Sequence, residues 1–403
     1  MSKFQLLILF LYILVGCSDL FAGSKPVASI PFEMVGSYVV MPVRINQSSS
    51  LRFILDSGVR NTIVTELLPG DSLSLSFQNS RDLQGLGRGN SLNAYVSDGN
   101  TLKLGRKLQF DNKTVYVLKE DVFNLSRQTG SKINGLIGSD FFDNYVVEID
   151  YSSKRLRFYE PENMVVPKGY GVMPMTIEKQ KMYIHLSVLE TDSARRSIKM
   201  LIDTGAELSA WFQTLTNKAI TIPEKSIHGR IGEGLSGEVT GIFARVPQIC
   251  IANFCVKDPI VAFPDSAAIS EIVRTSDRDG TIGSQLLKRF NLIIDTFNKK
   301  FYFKPNSGFN KPFVYNIAGI EIAQTLAFFP QIEVINVWKG SPAERAGVKV
   351  GDVITEINFE KVFTMTLSDV RGYFEKSSVK PLKIVVRRGD ATHDFEIDIK
   401  AKI

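Results

Sequence analysis

Two aspartates carry the chemistry this sequence can do. Asp56 follows Phe53-Ile54-Leu55 and precedes Ser57-Gly58, and Asp203 follows Met200-Leu201-Ile202 and precedes Thr204-Gly205. The two triplets stand 147 positions apart. Each has an apolar strand leading in, a hydroxyl residue next and a glycine after that, the pattern of a strand ending in a tight turn. One such triplet is a common accident, but two with the same flanks describe a pair of carboxylates presented on matching loops. Carboxylates held about 3 Å apart cannot both ionise, so one proton is shared. Such a pair can take a proton from water with one member and give a proton to a carbonyl with the other, and needs no covalent intermediate.

The elements that must position these groups are repeated as well. Gly85-Leu86-Gly87-Arg88-Gly89 is answered by Gly232-Glu233-Gly234-Leu235-Ser236-Gly237, and Gly87 to Gly234 is again 147 positions. Asn134-Gly135-Leu136-Ile137-Gly138 is answered by Asp279-Gly280-Thr281-Ile282-Gly283, each ahead of a short helical stretch. Tyr38-Val39-Val40 pairs in the same way with Tyr183-Ile184-His185. Between these landmarks run short segments rich in Val, Ile, Phe and Tyr, cut by Gly, Asn, Asp and Ser, which predicts two all-β, barrel-like lobes. The boundaries are residues 28–161 and 162–305, with the proline-bearing stretch from Pro161 to Pro174 as the connection.

Both halves resemble the pepsin and retropepsin family of aspartic peptidases, over about residues 30–305. The resemblance implies that Asp56 and Asp203 form the catalytic dyad and that Ser57 and Thr204 tie the two loops together. It also implies that Gly58 and Gly205 permit the turns and that Gly138 and Gly283 belong to the apolar element beneath each loop. Gly87, Gly89, Gly232 and Gly234 fall where such chains carry flap hairpins, so a flap in each half is expected, with Tyr95 as a flap aromatic. No cofactor or metal is implied. The three histidines, His185, His228 and His393, show no metal spacing.

From residue 312 to 403 a different module is expected. Gly340-Ser341-Pro342-Ala343-Glu344-Arg345-Ala346-Gly347, then Val350-Gly351-Asp352-Val353-Ile354, predicts a capped helix, a Gly-Asp turn and a buried strand. A second helix is expected near Leu367 to Phe374, and the last strand is read as Leu382 to Arg387. This tail resembles a PDZ domain of exported bacterial proteases. The resemblance implies a sheet edge that binds an extended ligand peptide, a C-terminus among the candidates, and it lays Gly319, Ile320 and Ile322 at that site.

The N-terminus predicts export. Lys3 precedes an apolar run from Leu6 to Val15, too short for a spanning helix, so residues 1–22 read as a signal peptide. Leu14-Val15-Gly16-Cys17 resembles the lipobox of bacterial lipoproteins, which would make residues 1–16 the signal and Cys17 a lipid anchor to a membrane. Cleavage after Ala22, leaving a soluble protein, is the other reading. The expected place is the periplasm or outer membrane, or the medium. Cys250 and Cys255 flank a hairpin-like segment, either as a disulfide suited to an oxidising compartment or as two partly buried thiols.

A net charge of +6, scattered along the chain and not gathered into runs, excludes a nucleic-acid partner. A serine hydrolase lacks its Gly-x-Ser-x-Gly elbow. The expected function is therefore an endopeptidase for peptide or protein substrates, and its alternative is an inactive exported PDZ protein that only binds peptides.

Overall fold

The computed structural model describes residues 24–84, 87, 89, 91–189, 195–214, 220–269, 276–325 and 331–403. The signal segment and Cys17 lie outside the described residues, as do Gly85, Leu86 and Arg88.

The predicted duplication is present strand by strand. In the first half the sheet runs Tyr38–Ile45, Leu51–Leu55, Gly135–Ile137, Thr62–Val64, Leu108–Leu118, Leu92–Leu104. The second half repeats this path as Lys181–Leu189, Arg195–Ile202, Gly280–Ile282, Ala210–Phe212, Ile260–Pro264, Gly237–Arg245. The register at the heart of each lobe is the same: Leu55 pairs in parallel with Ile137, and Ile202 with Ile282. The segments at this heart, Phe53–Leu55, Gly135–Ile137 and Gly280–Ile282, are buried on both faces. The first lobe closes on itself through Arg44↔Lys103 and Ile45↔Leu102.

A six-stranded antiparallel sheet joins the lobes. It runs Ala28–Pro31, Arg155–Tyr159, Val146–Asp150, Phe290–Asp295, Lys300–Pro305, Gly171–Pro174, so each half supplies three strands. At its centre Val147 faces Ile294 and Ile149 faces Leu292. The closing strands of each lobe were legible as apolar segments, yet their union across the lobes was not, because a sheet pairing between halves leaves no periodicity of its own. One apolar core runs from this sheet through both lobes and into the C-terminal module.

That module is a five-strand path, Ile320–Gln324, Ile332–Val337, Val353–Ile357, Leu382–Arg388, Ala391–Ile397. The sequence reading stopped one strand early. Ala391–Ile397 pairs along its whole length with Leu382–Arg388. Its helices are Pro342–Ala346, capped by Ser341, and Leu367–Glu375, opened by a Thr366–Asp369 capping box. In the second lobe Cys250 and Cys255 sit directly opposite each other in a hairpin and form a disulfide.

Candidate active site

Each candidate loop is fastened from below before it meets the other. Asp56 N–H donates to Ile137 O at 2.8 Å and Asp203 N–H to Ile282 O at 3.0 Å, so the apolar-Gly element fixes the backbone of each aspartate. A side chain at Gly138 would strike the Arg60 carbonyl, and one at Gly283 the Leu208 and Ala206 carbonyls, so these glycines let the element lie flush beneath the loop.

The two loops then lock across the lobe interface. Ser57 N–H donates to Thr204 Oγ1 and Thr204 N–H to Ser57 Oγ, both at 3.0 Å. Ser57 Oγ donates in turn to Ile202 O (2.8 Å) and Thr204 Oγ1 to Leu55 O (2.7 Å). Both hydroxyl residues are buried. The lattice is symmetric under exchange of the halves, and it brings the Asp56 and Asp203 carboxyl groups into hydrogen-bonding contact.

Gly58 and Gly205 are required for a reason other than the one expected. Neither has a left-handed φ. A Cβ on Gly58 would instead collide with the Asp203 carboxylate, and one on Gly205 with the Asp56 carboxylate. Each glycine makes room for the other lobe's acid, and its N–H holds its own: Gly58 N–H bonds Asp56 Oδ1 at 2.8 Å and Gly205 N–H bonds Asp203 Oδ1 at 2.9 Å.

The electrostatics of the two acids differ. Burial pushes Asp56 well above the ordinary carboxylate range, and the neighbouring Asp203 pushes it further. Asp203 is also raised by burial, but the Gly205 N–H, the hydrogen bond with Asp56 and the nearby cations Arg278 and Lys181 oppose that rise. Arg278 is buried and stacks over Trp211 at 5.1 Å. The two carboxyls titrate as one unit, both raised, with Arg278 and Lys181 nearer the Asp203 side. Tyr38 faces the same centre, and its hydroxyl is raised well above its usual value, first by burial and then by Glu207.

Paired strands flank the glycine-rich segments. In the first lobe Asn79–Leu83 pairs with Leu92–Val96, and in the second Ser226–Gly234 pairs with Gly237–Arg245. Gly89 N–H bonds Ser236 O at the turn of the second hairpin, and Gly87 N–H bonds Ala268 O of the Ser266–Ala268 turn at 3.0 Å. Gly232 and Gly234 line the cleft beneath them. Tyr95 does not. It lies on the outer surface against Phe77, with Lys119 over its ring, because its register position turns it away from the cleft.

The cavity at Asp56 measures about 370 Å³ and is lined by both lobes and by the C-terminal module. Ile320 and Ile322, expected at the peptide-binding edge of the C-terminal module, line this cavity. Gly319 has φ +72° and its N–H donates to Asn316 Oδ1 at 2.9 Å. Tyr38 belonged to a repeated sequence landmark, but nothing in the sequence marked Lys181, Arg278 or Trp338, which reach the site only through tertiary packing. Among the described residues no group of three or more His, Cys, Asp or Glu could hold a metal ion.

Residues 41–141 match the family model of aspartyl proteases, and residues 333–388 match that of the PDZ domain. The chain carries an aspartyl protease domain and a PDZ domain. The first match contains Asp56, and Asp203 occupies the equivalent place in the second lobe, beyond it. A solved structure, the aspartic proteinase from Irpex lacteus, is similar at 15% identity with a TM-score of 0.43, covering 70% of this chain and 97% of that one. No curated protein matches the sequence.

Proposed function

We propose that this protein is an aspartic-type endopeptidase whose dyad is Asp56 and Asp203. The observation that carries the reading is the reciprocal Ser57–Thr204 lattice, which holds the Asp56 and Asp203 carboxyl groups together beside the cavity that Asp56 lines. With the charge on Asp203 and the proton on Asp56, Asp203 accepts a proton from an attacking water while Asp56 donates to the scissile carbonyl oxygen. The tetrahedral intermediate collapses when the proton on Asp203 passes to the leaving amine and Asp56 recovers its own. The peptide lies extended between the lobes under the two flap tips.

The test compares the chain with its Asp203→Asn variant on a mixed peptide library from acidic to neutral pH, reading products by mass spectrometry. Cleavage by the parent and a loss of roughly 10³-fold or more in the variant support the reading. Equal cleavage by both overturns it.

Export belongs to the same proposal. Cys17 as a lipid-modified N-terminus on a bacterial envelope protein is tested by labelling cells with a tagged palmitate and following the chain with and without Cys17→Ala. Incorporation that survives the substitution removes the anchor from the account.

A further inference from the structure

The cleft is not bounded by the two lobes alone. From Asp56 the cavity extends between Phe123 and Leu125 of the first lobe, Phe243 of the second flap hairpin, and Ile335 and Trp338 of the PDZ domain. Trp338 is held from three directions. Its ring lies parallel to Phe243, with centroids 5.5 Å apart and planes 9° from each other. Its face covers Gly229 at the base of the same hairpin, where any Cβ would come within 2.7 Å of the indole. Its Nε1 donates to Glu321 Oε1 at 2.6 Å, and the other Glu321 oxygen accepts from Arg230 of the flap at 2.9 Å. An aromatic wall whose rotamer is already fixed loses little entropy when an apolar side chain packs on it.

The edge at which a PDZ domain receives a peptide strand is filled from within. Strand Ile320–Gln324 pairs with Ile332–Val337 on one side, and helix Leu367–Glu375 lies along the other. There the Ile320 N–H donates to Asn316 Oδ1 at 3.3 Å and the Ile320 carbonyl accepts from Asn316 Nδ2 at 2.8 Å. The Ile322 carbonyl accepts from Arg371 Nη2 at 3.3 Å, and the same nitrogen donates to Gln128 O of the first lobe at 2.5 Å. Arg127 pairs with Glu333 at 3.0 Å, and Gly130 packs against Leu367, so the 125–130 segment lies across the mouth of the groove. A strand added to this edge would have to break those bonds.

We propose that the PDZ domain acts as a third wall of the substrate cleft, with Trp338 and Ile335 forming a subsite for a bulky apolar side chain of the peptide being cleaved. It is then a specificity element of the protease and not a separate dock for a peptide terminus. The proposal rests on the peptidase reading.

The experiment uses the full chain, Trp338→Ala, Trp338→Phe and Ile335→Ala on a digest of denatured casein, followed by the best-cleaved peptide with its kcat and KM. Circular dichroism checks the fold of each variant. In the parent, one position of the cleaved peptides is enriched in bulky apolar residues. Trp338→Ala and Ile335→Ala flatten that enrichment and raise KM roughly 10-fold, with kcat little changed. Trp338→Phe restores most of the preference. A parent that cleaves with a clear profile, left unchanged in profile and KM by Ile335→Ala and by a folded Trp338→Ala, overturns the subsite and leaves the peptidase standing. A parent that cleaves nothing overturns both.

Discussion

Ser57 and Thr204, 147 residues apart, each accept the other's backbone N–H at 3.0 Å while donating their own hydroxyl to a carbonyl of the opposite lobe. The relationship is structural and catalytic together, because the same two loops end in the acids. Replacing Thr204 with Val keeps the shape but strands the buried Ser57 N–H and the Leu55 carbonyl. A stability loss of about 1–3 kcal/mol is expected for such orphaned groups. Chemical denaturation measures it, and kcat should fall more than KM changes. Thr204→Ser should recover both, and a Thr204→Val protein as stable and as fast as the parent would show that the lattice is ornamental.

Gly205→Ala probes the approach of the two lobes. The added methyl group meets the Asp56 carboxylate, so the acids must separate while backbone φ is undisturbed. The expected result is a folded protein with at least roughly 100-fold lower kcat, since misplacement of about 1 Å carries that penalty. Gly58→Ala, pressing on Asp203 from the other side, should behave alike.

The raised carboxyls of the dyad make both stability and activity fall as pH rises. Both carboxyls are raised above their unfolded value, so their contribution to stability is fully present below about pH 3.8 and is lost as pH rises through the folded values. Asp56→Asn removes an acid whose ionised form is disfavoured, and should raise Tm at neutral pH, with the gain fading below about pH 4. It should also abolish cleavage. In the parent, activity falls as pH rises through the elevated Asp56 ionisation, so the alkaline limb of kcat/KM lies above that of an ordinary carboxylate. A Tm gain that is the same at pH 3 and pH 7 would contradict the assignment.

The Cys250–Cys255 disulfide closes a loop of five residues in sequence separation within a hairpin on the rim of the second lobe. A loop that short restricts the unfolded chain modestly, by about 2 kcal/mol. Serine at both positions, or dithiothreitol added to the parent, should lower Tm by an amount matching that figure and leave kcat unchanged. A collapse of activity on reduction would mean that the hairpin supports the cleft more directly than its position suggests.

Much of the site was legible because its parts are local. Asp56-Ser57-Gly58 and Asp203-Thr204-Gly205 sit at strand ends, where the chain itself spells the turn, and the duplication multiplied each weak signal by a second copy. Tyr95 was misplaced because strand register decides which face a side chain takes, and a hairpin whose turn is only glycine-rich leaves that register open. The role given to Gly58 and Gly205 also changed, since the atom that excludes a side chain there belongs to the other lobe.

Sequence alone determined the two repeated β lobes, the pair of acids, the hydroxyls beside them and a separate C-terminal module, because apolar periodicity, turn residues and repeated spacing are properties of neighbouring residues. Only the tertiary structure decided that the lobes share one six-stranded sheet, that Arg278 and Lys181 lie near Asp203, and that Trp338 reaches back to pack on the hairpin of the second lobe. Those are meetings of residues far apart in the chain. They arise from burying apolar faces of three units against one another, and the free energy that selects them depends on shape and charge across interfaces that no local pattern encodes.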